Sequence, residues 1–287
     1  MEDVWRGYQM STAWDSTEPP VQLQIRPLGW GLAVVRALML ALLVFGGLIL
    51  LLLIRLIERP IYGQSRPVTP YITQGVCRGA FVIMGLKHII KGEPMRFRGA
   101  VVANHTSWLD IFTLNAAQRI YFVSKSEVES WPGIGWLARA TGTLFIERNP
   151  IRAREQTVVF QKRLLKGQRL LFFPEGTSTD GRQVLPFKTT LFQSFFADAL
   201  RDAIWIQPVT ISYTAPLGAD PRFYGWWGDM TFGVHLLKTL SVYRQGSVIA
   251  HYHPPLKVSD FPNRKELALA CERQVRSSHQ STDTPVS

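Results

Sequence analysis

Cysteine is scarce, with two residues, Cys77 and Cys271, in a chain of 287. So few thiols build neither a disulfide framework nor a zinc-ligand spacing, and they fit a reducing compartment or simple burial. Acidic side chains are also short: 21 Asp and Glu stand against 32 Lys and Arg, a formal net charge of +11. That balance suits anionic partners such as nucleic acid, acidic lipid headgroups or phosphorylated cofactors. No nucleic-acid motif accompanies the charge, so nucleic acid is not expected as a partner. No internal repeat is present. Histidine is sparse as well: His88, His235 and His279 stand singly. His251 and His253 lie two apart on a presumed strand and share a face, but no further ligand is evident, so no metal site is expected.

What the chain does have is apolar sequence, 46% of its residues, enough for one sizeable domain and an appendage. Residues 37 to 54, ALMLALLVFGGLILLLLI, are eighteen uncharged residues between Arg36 and Arg55. At about 1.5 Å per residue they reach roughly 27 Å, close to the hydrocarbon thickness of a bilayer. The run starts behind Glu2, Asp3, Asp15 and Glu18, and no small-residue cleavage site follows, so a cleaved signal is not expected. Arg55, Arg59, Arg66 and Arg78 follow with Glu58 opposing them, which puts the C-terminal bulk in the cytoplasm by the positive-inside rule. Because Arg36 interrupts the longer apolar stretch, an interfacial placement is the alternative to a full span.

The organisation reads as a polar tail over 1–27, a transmembrane or interfacial helix over 28–57, and a linker with a helical segment over 58–94. A folded domain over 95–277 and a disordered tail over 278–287 complete it. Within the domain, AVVAN, RIYFVS, GTLFIE, RLLFFP, IWIQPVTI and VIAHYH read as buried strands. Pro208 within IWIQPVTI points to an edge or a bulge. Asn149 caps a helix with Pro150 in its first turn and Gly167 past its end. FKTTLFQSFFADALRDA reads as another helix, and Asn263 with Glu266 starts a last one. Strands alternating with helices predict an α/β domain with a mixed, mostly covered sheet flanked by helices, preceded by a membrane-anchoring helix. The aromatic stretch RFYGWWGDM, Arg222 to Met230, reads as a membrane-interface loop, with a core loop as the alternative.

The chemistry is expected in ANHTSWLD, Ala103 to Asp110. A strand ends at Asn104 and a helix follows, with Ser107 and Asp110 in a capping pattern. Five positions inside one helix would set His105 and Asp110 roughly 140° apart. With His105 in the strand-to-helix turn and Asp110 in the first helical turn, the imidazole can fold over the carboxylate. One ring nitrogen is then held by the carboxylate, and the other is free to act as a general base whose activity falls as the ring is protonated. Pro174-Glu175-Gly176-Thr177 follows a second apolar strand, at the strand end where open α/β sheets place ligands.

These blocks together resemble the glycerolipid acyltransferases of the bacterial 1-acyl-sn-glycerol-3-phosphate (lysophosphatidic acid) acyltransferase type. The resemblance covers about residues 80 to 215 and rests on NHTSWLD, GTLFIER, FPEGTS and QPVTI in that order. It implies transfer of an acyl chain from acyl carrier protein or acyl coenzyme A, as co-substrate with no cofactor, to the hydroxyl of a lysolipid at a bacterial inner membrane. It assigns His105 as the base and Asp110 as its orienting partner, and places Arg148, Glu175, Gly176 and Thr177 at the acceptor headgroup. The family's third block usually continues with arginine. Here Ser178 stands in that place, so a headgroup phosphate loses a cation, unless Lys188 supplies one. The flank YFVSKSEVESWPGIGWLARATGTLF is similar to the lyso-ornithine lipid branch. Two other classes match the sequence less well. A serine hydrolase would need G-x-S-x-G, which GTSTDG misses at Asp180, and a membrane scaffold would need only the charge and the anchor.

Overall fold

The computed structural model describes residues 14–16, 25–147 and 150–279. Arg148, the Asn149 cap and most of the two tails lie outside the described residues.

Helix α1 (Pro27–Tyr62) takes in the apolar run and extends beyond it through Pro60, which falls in its last turn; Gly63, at φ +59°, ends it. The expected linker is correspondingly shorter, because helix α2 (Thr69–Met84) starts within the proline-rich stretch. Two faces of α1 differ. Ala33, Arg36, Leu51 and Glu58 are buried, and Gly47 is pressed against Val76 of α2. Leu38, Leu42, Phe45, Ile49, Leu53 and Leu56, at three- and four-residue spacing, face outward.

The two charged residues on the inner face act as caps. The Arg36 guanidinium donates to the carbonyls of Leu240 and Val242, at 3.1 and 2.6 Å, where helix α7 (Phe232–Ser241) ends. Glu58 accepts from the backbone N–H groups of Val68 and Thr69 and from the Thr69 hydroxyl, at 2.7, 3.2 and 2.8 Å. It thereby satisfies donors that the first turn of α2 leaves open. The arginine that interrupts the apolar run is thus a helix cap supplied from another element.

The sheet has eight strands: β1 (Lys87–Lys91), β2 (Gly99–Ala103), β3 (Tyr121–Lys125), β4 (Leu144–Ile146), β5 (Leu170–Phe172), β6 (Trp205–Thr214), β7 (Ser247–Tyr252) and β8 (Leu256–Lys257). Their order is β1-β7-β6-β2-β5-β3-β4, with β8 also on β6. Pairings are parallel except those of β6 with β7 and β8, so the sheet is mixed. Alternation along the strands divides the core. Val101, Ala103, Leu171, Val209 and Ile211 face one side with α2, helix α3 (Leu109–Ala117) and α7. Ala100, Val102, Leu170, Phe172 and Ile206 face the other, with helices α5 (Pro150–Leu165) and α8 (Arg264–Ser278). Asn263 caps α8 by accepting from Lys265 and Glu266 N–H.

Two expectations change, and a third resolves to one of its alternatives. Pro208 sits in a central strand, not at an edge, beside a one-residue slip of register, Ile206 facing Leu256 and Val209 facing Tyr252, as at a bulge. Its missing N–H falls between the β6–β8 pairing, which ends at Ile206, and the β6–β7 pairing, which starts at Val209. FKTTLFQSFFADALRDA is not one α-helix. Residues Thr189–Phe196 form a 3-10 helix, and a short helix, α6 (Asp198–Arg201), follows. Three-residue periodicity places Phe192 and Phe195 together in the second core cluster. The aromatic stretch is a core wall rather than a membrane-interface loop: Phe223, Tyr224 and Trp227 are buried, and Arg222 is paired with Asp220 at 2.8 Å. Helix α4 (Ile134–Thr141), strands β1 and β8, and α7 have no counterpart in the sequence reading.

Candidate active site

The site forms where β5, β2 and β6 lie side by side and parallel, at their carboxyl ends. In such sheets the strand ends open a crevice between diverging connections. His105 leaves β2, Phe173 and Glu175 leave β5, and Tyr213 stands near the end of β6. Asn104 fixes the exit of β2: its amide donates to the Ile211 carbonyl at 2.9 Å and accepts from the Ile211 N–H at 2.7 Å. This continues the β2–β6 ladder by a side chain, so the turn starts one residue later, at His105.

His105 Nδ1 lies 2.8 Å from Asp110 Oδ2. The same oxygen accepts from the backbone N–H groups of Thr106 and Ser107, at 2.8 and 3.0 Å. Asp110 is fully buried and belongs to the first turn of α3. The carboxylate that closes the turn is therefore also the one that meets the imidazole. The ring stacks on Phe173, with centroids 4.0 Å apart and planes 10° off parallel. Among the described residues Nε2 has no hydrogen bond, and the side chain retains 20% exposure. An imidazole held at Nδ1 by a carboxylate, with Nε2 open, is arranged to accept a proton from an incoming group.

Glu175 is buried, and both its oxygens are engaged, Oε1 by the His105 N–H at 2.7 Å and Oε2 by the Leu185 N–H at 2.8 Å. Burial pushes its carboxyl up to about 8, against the pull of those two N–H donors and with the Asp110 charge adding to the rise. The Thr179 N–H donates to the His105 carbonyl at 3.0 Å. The loop after β5 thus grips the His105 main chain from both sides. Gly176 has φ +75°, and a Cβ there would sit 2.5 Å from Lys188 Nζ, so the lysine crosses the glycine. Thr177 Oγ1 accepts from the Trp14 N–H at 3.3 Å. Ser178 Oγ donates to the Trp226 carbonyl at 2.5 Å, and the Trp226 N–H donates to the Thr106 carbonyl at 2.9 Å. Ser178 therefore binds the site's wall and, among the described residues, has no imidazole partner of the kind a hydrolase nucleophile needs.

Of the residues expected from the sequence, the structure brings together His105, Asp110, Glu175, Gly176, Thr177 and Lys188. Phe173, Tyr213 and Trp226 join them without having been anticipated.

A model of the Acyltransferase family matches residues 89–212, which contain the site apart from Trp14, Tyr213 and Trp226. A lyso-ornithine lipid O-acyltransferase of Rhodobacter capsulatus is 58% identical over 264 residues, covering 92% of this chain and 96% of that protein. The chain belongs to the 1-acyl-sn-glycerol-3-phosphate acyltransferase family, in its lyso-ornithine lipid branch. A second such acyltransferase, from Brucella abortus, is 39% identical over 193 residues, 63% of this chain and 71% of that one. The fold is that of the 1-acyl-sn-glycerophosphate acyltransferase of Thermotoga maritima, at TM-score 0.60 and 20% identity, over 90% of this chain and 98% of that one. This acyltransferase therefore carries its His105–Asp110 pair in a family setting, as an enzyme that moves acyl groups.

Proposed function

We propose that the enzyme transfers an acyl chain from acyl carrier protein or acyl coenzyme A to the hydroxyl of lyso-ornithine lipid, with 1-acyl-sn-glycerol-3-phosphate as a second acceptor. The observation that carries this reading is the 2.8 Å His105–Asp110 contact with Nε2 open beside it. Nε2 takes the acceptor's hydroxyl proton as that oxygen bonds to the thioester carbonyl carbon. The C–S bond then breaks, and the imidazolium returns the proton to the departing thiolate. Asp110 balances the transient positive charge on the ring. Ser178 in place of arginine supports an acceptor without a phosphomonoester, and the 58% identity to the Rhodobacter enzyme supports the ornithine lipid. Lys188 over Gly176, with Thr177 beside it, is placed to meet the headgroup, and Arg148 is proposed to join them. The net positive charge favours an acidic carrier protein and anionic lipid.

The enzyme is proposed to lie on the cytoplasmic face of a bacterial inner membrane, with α1 in the interface rather than across the bilayer. By length and composition α1 is able to span. Its caps argue otherwise. Arg36 and Glu58 lie about 33 Å apart along the helix at 1.5 Å per residue, and each is bonded to an element of the folded domain. Trp14, ahead of α1, is bonded to Thr177 of the site loop. Both ends of α1 thus stay with one body, and its outer apolar face is left for lipid.

Purified enzyme in mixed micelles, given each lysolipid with each thioester, tests the reaction. Turnover is expected with at least lyso-ornithine lipid. His105→Ala and Asp110→Asn are expected to lower kcat by about 100- to 10,000-fold. Release of fatty acid without acceptor, undiminished in His105→Ala, would overturn the reading.

A further inference from the structure

We propose that Tyr213 is a positioning residue of the acyl transfer, setting the rotation of the Asp110 carboxylate through which His105 is held. The inference rests on the general-base reading of His105.

The geometry divides the carboxylate's two oxygens. Oδ2 carries three donors, the imidazole Nδ1 and two backbone N–H groups. Oδ1 has one donor among the described residues, the Tyr213 hydroxyl at 2.7 Å. The backbone donors come from the turn that also carries the imidazole, so they move with it. Tyr213 comes from β6, a different strand, and is the group that ties the carboxylate to the sheet. A carboxylate held at one oxygen can still swing about its Cβ–Cγ bond; held at both, it presents Oδ2 to Nδ1 in one orientation. The tyrosine is itself held, by its ring 5.4 Å from that of Tyr224 and by its place next to the Asn104–Ile211 clamp. Burial and the adjacent Asp110 charge raise the phenol well above its ordinary range, so it stays protonated and remains a donor wherever the enzyme works. The titratable groups facing this cluster are His105 on the turn after β2, Glu175 after β5 and Tyr224 after β6. Thr113 of α3 adds a hydroxyl beside the phenol.

A donor on Oδ1 also draws negative charge away from the oxygen that faces the imidazole. Removing it leaves the carboxylate a stronger partner for imidazolium. Tyr213→Phe is therefore expected to lower kcat about tenfold. KM for acceptor and donor should stay within about twofold, since the residue touches neither substrate. The acidic limb of kcat/KM against pH should move to higher pH. In an Asp110→Asn background the same substitution should have almost no further effect, because the residue through which it acts is already altered.

These rates should be measured on the full-length enzyme in micelles, alongside thermal melting. If Tyr213→Phe lowers the melting temperature but leaves the pH profile in place, or if its effect multiplies with that of Asp110→Asn, the positioning role is overturned. Should Tyr213→Phe not fold, 3-fluorotyrosine installed at 213 keeps the hydroxyl and makes it a stronger donor. Its acidic limb is expected to move to lower pH, and an unmoved limb would overturn the proposal. The two readings fail separately: an Asp110→Asn enzyme as active as wild type removes the dyad itself, whereas a crippled Asp110→Asn with an unaltered Tyr213→Phe removes this inference alone.

Discussion

Gly176 shows how one residue can serve a backbone conformation and a neighbouring charge. Its φ of +75° is in the region where a side chain is strained, and the space a Cβ would fill is crossed by Lys188. Gly176→Ala is expected to cost about 1 kcal/mol in backbone strain and to push the ammonium off the loop. If Lys188 meets the acceptor headgroup, KM for the lysolipid rises several-fold while KM for the thioester holds; steady-state kinetics with each substrate varied in turn will show it. An equal change in both constants would instead mark a loop that has merely loosened. At this scale the sequence shows a residue more readily than its partner. His105 and Asp110 were legible because a short turn between strand and helix joins them locally. Glu175 was visible as a residue in a block, but its partners are main-chain N–H groups at 105 and 185, and main-chain atoms leave no mark in sequence. Tyr213 had no local signal: a lone tyrosine near the end of a strand gains its role from the strand beside it.

Among the elements, the short apolar runs marked β2 to β7 because a covered strand of a parallel sheet is apolar on both faces. Strand β1, KHIIK, lies at the sheet's end with lysines at both termini, and β8 has two residues, so neither carries that pattern. Helix α7 was also unread, though it supports the site. Trp108 of the ANHTSWLD motif donates from Nε1 to His235 Nδ1 of α7 at 2.9 Å. Burial, with Lys238 nearby, lowers His235 to about 4. The folded protein therefore holds this ring neutral, whereas the unfolded chain protonates it below its ordinary value near 6.5. Stability from this group is present above that value and is lost as pH falls toward 4. The loss comes to about 3 kcal/mol for a shift of this size. Thermal melts in detergent from pH 7 to pH 4 should show that decline in wild type. His235→Asn, which keeps an acceptor for the indole, should show a shallower one even if its neutral-pH stability is lower. Parallel declines would mean that the acid sensitivity arises elsewhere.

Across the whole molecule, the decision between spanning and interfacial attachment belongs to contacts that hydropathy does not record. By length and composition the apolar run makes α1 able to cross a membrane. Buried Arg36 and Glu58 state that one of its faces belongs to the protein. In the run itself the arginine reads as an interruption, and only the end of α7, some 200 residues later, gives it a purpose. A lysolipid and its product would both reside in one leaflet, and the proposed placement of α1 along that leaflet would hold the site at the depth where the acceptor's hydroxyl emerges. The natural cysteines are buried, so single introduced cysteines report cleanly to a membrane-impermeant maleimide. Asp15→Cys lies ahead of α1 and Lys265→Cys on α8, both at exposed positions. In intact spheroplasts neither is expected to label, and both should label once the membrane is opened. Labelling of Asp15→Cys from outside, with Lys265→Cys still protected, would place α1 across the bilayer and break the contact that holds Trp14 against Thr177 in the loop after β5.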